Sequence, residues 1–144
     1  MTNERFAAYG AFLLRVALGV MFISHAYLKY AVFTVPGFEA YLQQAGLPSA
    51  FAWPIILAEF LGGTAILAGF YGRCVALALV PLLLGAISVH APNGWVFNAP
   101  NGGWEYPAFL TAAAVVQALI GDGAFALRSF GLTRQGPAKV LAQA

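Results

Sequence analysis

The stretch WPIILAEFLGGTAIL, residues 53–67, sets one carboxylate, Glu59, inside an otherwise apolar run. Extended on both sides to Ala50 and Phe70, the run matches the ~20 apolar residues that a helix needs to cross about 30 Å of hydrocarbon. Pro54 falls in the first turn, where a missing N–H costs little. Gly62 and Gly63 let a second backbone approach closely, which is how helices pack where no hydrophobic force separates helix from lipid. An ionised glutamate at that depth costs about 2.5–3.5 kcal/mol or more unless it is paired. The fold therefore has to supply Glu59 with a basic partner.

The rest of the chain agrees with a membrane setting. Of 144 residues 61 % are hydrophobic and 8 % charged, and the mean hydropathy is +0.79; ordinary soluble domains carry about 25 % charged residues. Four apolar segments, at about 8–32, 50–70, 74–91 and 106–126, predict an all-α membrane protein, a bundle of four transmembrane helices. They form one domain over residues 1–128, followed by a short tail, 129–144. Arg5 ahead of an apolar stretch resembles a secretion signal, but the stretch runs past twenty residues and contains Arg15, so it reads as a retained first helix. The first connection has room for a short interfacial helix around Phe38 to Gln44. Pro81, in mid-span, predicts a kink in the third long helix.

Basic residues orient the bundle. Arg5, Arg73, Arg128, Arg134 and Lys139 all fall on one side of a four-span arrangement, and Lys29 alone lies toward the other. By the positive-inside rule both termini, and the tail, are cytoplasmic, in a multi-pass protein of the cell's inner (plasma) membrane. With no basic run the chain has no nucleic-acid footprint. A single cysteine, Cys74, excludes an internal disulfide and a two-thiol redox pair.

The first helix carries Arg15, His25 and Lys29. At about 100° per residue, Lys29 lies roughly 40° and His25 roughly 80° from Arg15, so all three share one face. If the first two long helices both start at a membrane surface, Arg15 and Glu59 differ in height by only about 6 Å, which predicts an Arg15–Glu59 ion pair. At the outer end, His25, Lys29, His90, Asn93, Trp104 and Glu105 gather into a polar cluster. Each has a purely structural role open to it as well. Lys29 can reach the interface along its stem, the histidines can bond loop carbonyls, Trp95 and Trp104 suit an aromatic belt, and Glu105 suits a helix N-terminus. His25, His90 and Glu105 are a donor set compatible with zinc or ferrous iron, but they come from three segments with no local ligand spacing, and no metal site is assigned.

The runs LLRVALGVMFISHAYLKY (13–30), AGLPSAFAWPIILAEFLGGTAILAGFYGR (45–73), ISVHAPNGW (87–95) and GGWEYPAFL (102–110) resemble the DoxX family of small four-helix bacterial and archaeal membrane proteins. The likeness covers about residues 10–128 and falls on Arg15, His25, Lys29, Glu59, His90, Asn93, Gly94, Gly103, Trp104, Glu105 and Tyr106. One departure is Ala26, where the family often has glycine after the histidine. The resemblance implies a link to quinone-dependent membrane oxidoreductase assemblies and to oxidative-stress tolerance. It makes the chain a subunit of such a system rather than a self-sufficient enzyme, with other membrane or soluble redox subunits as partners. An oligomer of this chain is also compatible with it. The outer cluster with Arg15 below it would then hold a quinone head group on Arg15, His25, Lys29, Asn93, Trp104 and Glu105, with Glu59 and His90 exchanging protons. No cofactor motif is present, so quinone stands on the resemblance alone. The alternative is a non-catalytic membrane anchor or assembly partner for another protein.

Overall fold

The computed structural model describes residues 3–127, and in them five α-helices and no strand. Helix α1 runs Asn3–Tyr27 and continues through a wider π-turn, Leu28–Val32, closed by Phe33 N–H donating to the Leu28 carbonyl at 2.9 Å. Helices α2 (Val35–Gln44), α3 (Ala52–Ala68), α4 (Gly72–His90) and α5 (Glu105–Ile120) follow. Three helical stretches, Asn3–Val32, Ser49–Ala68 and Gly72–Asn93, are long and apolar enough to cross a membrane; Glu105–Ile120 is apolar but shorter. Arg128, Arg134, Lys139 and the tail lie outside the described residues.

Glycine sets the register of α1 on α3. A Cβ on Gly19 would stand 2.9 Å from the Gly63 carbonyl and 2.7 Å from Leu67 Cβ, and one on Gly63 would stand 2.8 Å from Phe22 Cβ. Only bare backbones approach this closely, so the two helices lock where these glycines face each other. Around the lock, Leu18, Phe22, Ile66, Ala76, Leu79, Leu83, Leu110 and Ala114 form the core of the bundle. A smaller core of Ala26, Phe38, Leu42, Ala52 and Ile56 seats α2 across the α1–α3 edge.

That register overturns the expected Arg15–Glu59 pair. Arg15 Nη1 lies against Gly69, at the far end of α3, and Glu59 is ten residues away, about 15 Å along the helix. The expectation assumed that both helices begin at a membrane surface; the glycine contact, not the helix starts, decides which residues share a level. Arg15, 1 % exposed, instead donates to the carbonyls of Asp122 at 2.9 Å and Ala124 at 3.1 Å. It thereby ties down the segment Gly121–Leu127, which turns back at Gly121 (φ +88°) and bonds to the bundle through Ala124 N–H to Ala8 O and Leu127 N–H to Ala68 O. Arg73 closes the end of α5 in the same way, donating to the carbonyls of Ala118 and Leu119.

Helix α2 starts on a strained residue. Thr34 has φ 63° and ψ 155°, an uncommon backbone for a β-branched side chain, and its hydroxyl accepts from Gly37 N–H at 3.3 Å as the N-cap. Pro36 in the first turn adds a fixed φ. The sharp corner lays α2 over the end of the bundle that contains Glu59.

Candidate functional site

Glu59 and Lys29 meet across the α1–α3 contact. Lys29 Nζ donates to both carboxylate oxygens at 2.8 Å, with the side chains only 15 % and 6 % exposed. The same ammonium lies 5.6 Å from the centre of the Phe38 ring on α2. Lys29 emerges from the π-turn, a feature that recurs at functional sites because it interrupts regular helix geometry. A paired, hydrogen-bonded and partly desolvated charge is the condition under which a carboxylate persists among apolar side chains.

This pair forms part of the wall of a cavity of about 620 Å³ bounded by residues from all five helices. Most of the wall is apolar, including Phe22, Leu42, Ile55, Leu83, Val89 and Leu110. The polar groups on it are few: His25, Lys29, Tyr41, Glu59, His90 and Tyr106. A mostly apolar cavity with a handful of placed polar groups is the usual form of a small-molecule site. Burial pushes the Tyr41 phenol above its ordinary range, so it stays a neutral hydroxyl.

Both histidines are held by their Nδ1 atoms. His25 Nδ1 lies 2.8 Å from the Met21 carbonyl, one turn back on α1, and His90 Nδ1 lies 3.0 Å from the Gly102 carbonyl. A carbonyl oxygen only accepts, so each Nδ1 carries the hydrogen, and in the neutral ring Nε2 is left as a bare acceptor. The His25 ring stacks on Tyr106, centroids 5.5 Å apart at 16°. The Tyr106 hydroxyl is buried with no hydrogen-bond partner among the described residues. A buried hydroxyl without a partner keeps its full capacity to donate and to accept.

The loop after α4 holds His90 in place. Asn93 Nδ2 donates to the carbonyls of Asn101 at 3.1 Å and Gly102 at 2.9 Å, so the carbonyl that orients His90 is itself positioned by Asn93. Glu105 Oε1 accepts from Phe97 N–H at 2.9 Å, and Trp95 packs edge-on against Trp104 at 4.5 Å. Gly103 is enclosed by the carbonyls of Gly94, Trp95 and Val96, leaving no room for a Cβ.

Of the residues singled out from sequence, His25, Lys29, Glu59 and His90 come together on the cavity. Arg15 lies toward the opposite end of the bundle, and Asn93, Trp104 and Glu105 build the loop instead of lining the cavity. Glu105 does line a separate open groove of about 540 Å³ with Trp95, Phe97, Phe109 and Tyr106. Among the described residues no three His, Cys, Asp or Glu side chains converge as metal ligands. Four contributors were not singled out as site or lock residues: Tyr106, the α2 side chains Phe38 and Tyr41, and Asp122. Tyr106 was legible only as one more motif position. The triplet Gly121-Asp122-Gly123, inside the last apolar segment, was the available signal for Asp122, since an acid between two glycines marks a turn.

Comparison with known proteins places this arrangement in a class. The DoxX family profile matches residues 10–92, and the chain belongs to the DoxX family of helical membrane proteins. A protein of Bacillus subtilis (strain 168) named "Putative oxidoreductase CatD" is 31 % identical over 125 residues, which cover 84 % of this chain and 86 % of that protein. No solved structure matches.

Proposed function

We propose that this chain is the membrane subunit of a quinone-linked oxidoreductase and that the cavity beneath α2 receives the quinone ring. In this reading the chain spans the inner membrane four times, α5 included, with both termini and the tail 129–144 cytoplasmic and the cavity toward the outer leaflet. The observation that carries the proposal is the composition of the cavity wall. An apolar volume of about 620 Å³ suits an aromatic ring, and two imidazoles, an unpartnered phenol and an ion pair are grouped at its edge. The relationship to a protein named as an oxidoreductase favours the same class.

Reduction of a quinone takes two electrons and two protons and turns two carbonyls into two hydroxyls. The described residues hold no redox-active thiol pair, so a partner subunit supplies or removes the electrons. This chain's side chains bind the ring and move the protons. His90 and His25 exchange protons at Nε2, and Glu59, neutralised by Lys29, is the buried carboxylate through which protons reach or leave the ring.

The test is to purify the protein in mild detergent, extract it with organic solvent and assay for quinone, comparing the wild type with Glu59→Gln and His90→Ala. Quinone, counted in both redox states, present in the wild type and depleted in folded variants supports the reading. No quinone in any sample, together with a stoichiometric protein partner, would replace it with a membrane anchor or assembly role.

A further inference from the structure

The cavity's hydrogen-bonding groups differ in what they can accept and donate, and this bears on the redox state of the occupant. His25 and His90 each spend their only ring N–H on a backbone carbonyl, of Met21 and Gly102. What remains at each ring is an acceptor. Lys29, the strongest donor on the wall, directs its ammonium to both oxygens of Glu59 and lies over the Phe38 ring. The Tyr106 hydroxyl, buried and unpartnered, can donate or accept. The neutral cavity therefore offers two dedicated acceptors and two phenol hydroxyls, of Tyr41 and Tyr106, that serve either way.

A quinone ring presents two carbonyls, which only accept. A hydroquinone presents two hydroxyls, which donate. Facing two bare imidazole nitrogens, the quinone would leave acceptors opposed to acceptors in a desolvated space, whereas the hydroquinone pairs with both. Sites built to bond a hydroxyl reject the analogue lacking it, because their own polar groups are then left unpaired.

We propose that the cavity binds the hydroquinone form of its ring at least tenfold more tightly than the quinone form, through acceptance of the two ring hydroxyl hydrogens by Nε2 of His25 and His90. This rests on the reading of the cavity as a quinone-ring site and adds its redox preference. Tenfold tighter hold on the reduced form raises the two-electron potential of the bound couple by about 30 mV.

The experiment titrates the purified full-length protein, under anaerobic conditions at neutral pH, with a decyl-substituted benzoquinone and separately with its hydroquinone. The discriminating variants are His25→Asn and His90→Asn. Asparagine keeps an N–H near the position of Nδ1 for the Met21 or Gly102 carbonyl and removes the acceptor at Nε2, so the wall contact is retained. The expected result is a hydroquinone preference of tenfold or more in the wild type that falls toward unity in either variant through loss of hydroquinone affinity. Equal or tighter binding of the quinone overturns this inference and leaves the quinone-site reading standing. A hydroquinone preference unchanged in both variants overturns it as well, because the imidazoles would not be its source. Failure of the wild type to bind either form overturns both.

Discussion

Lys29 and Glu59 come from helices that run in opposite directions, and they meet with one ammonium 2.8 Å from both carboxylate oxygens. The contact joins the π-turn at the end of α1 to the middle of α3, and so couples the register of the bundle to the polar edge of the cavity.

Separating that pair should cost more than deleting it. Glu59→Gln strands a largely buried ammonium and Lys29→Met strands a largely buried carboxylate, and loss of one partner of a buried pair typically costs about 3–5 kcal/mol. The double variant should recover a large part of that loss, giving a coupling energy of at least about 3 kcal/mol in a double-mutant cycle. Thermal or denaturant unfolding in detergent measures it, and strictly additive effects would contradict the pairing.

The glycine lock gives a second test with an internal control. Gly63→Ala or Gly19→Ala forces a Cβ into the facing backbone and should destabilise the protein by about 1–3 kcal/mol. Gly10 lies on the same helix with nothing within 4 Å of its Cβ position, so Gly10→Ala should be neutral, or stabilising by up to about 1 kcal/mol through helix propensity. Equal melting temperatures for the Gly10 and Gly63 variants would show that the α1–α3 register is wrong.

Arg15 should resist replacement by lysine. Its two terminal nitrogens reach two different carbonyls, Asp122 and Ala124, a task for a planar fork and not for a single ammonium. Both Arg15→Lys and Arg15→Met should loosen residues 121–127, read as faster hydrogen exchange of the Ala124 and Leu127 amides that now bond to Ala8 and Ala68. The lysine variant exchanging as slowly as the wild type would refute the fork.

Asn93 is expected to act on ligand binding through His90. Asn93→Ala removes two hydrogen bonds that position the Asn101 and Gly102 carbonyls, each worth about 1 kcal/mol. With Gly102 freed to shift, His90 loses its fixed orientation, and hydroquinone retention should fall several-fold while the melting temperature drops by only a few degrees. Unchanged retention in a folded Asn93→Ala protein would separate the loop from the site.

Much of the site was legible because it follows from the cost of charge in hydrocarbon. Glu59 demanded a basic partner, and only a few basic residues lay within reach; His25 and Lys29 shared a face with Arg15 by helical periodicity alone. Which of the two basic residues would pair was not legible, because both lay on that face and differed only in height. Height depends on how far one helix slides along the other, and that was decided by the meeting of Gly19 with Gly63.

The sequence by itself determined that the chain is helical, that it carries long apolar segments, that a short helix lies in the first connection and that Glu59 needs a basic partner. Those conclusions rest on local periodicity and on transfer free energies, which each segment carries alone. The tertiary structure decided that Lys29 takes Glu59, that Arg15 takes the carbonyls beyond α5, that Asn93 and Glu105 order a loop, and that Tyr106 stacks on His25. These depend on helix sliding, on the close approach of backbones and on the return of the segment after Gly121, and all three are properties of helices in contact rather than of any one stretch of sequence.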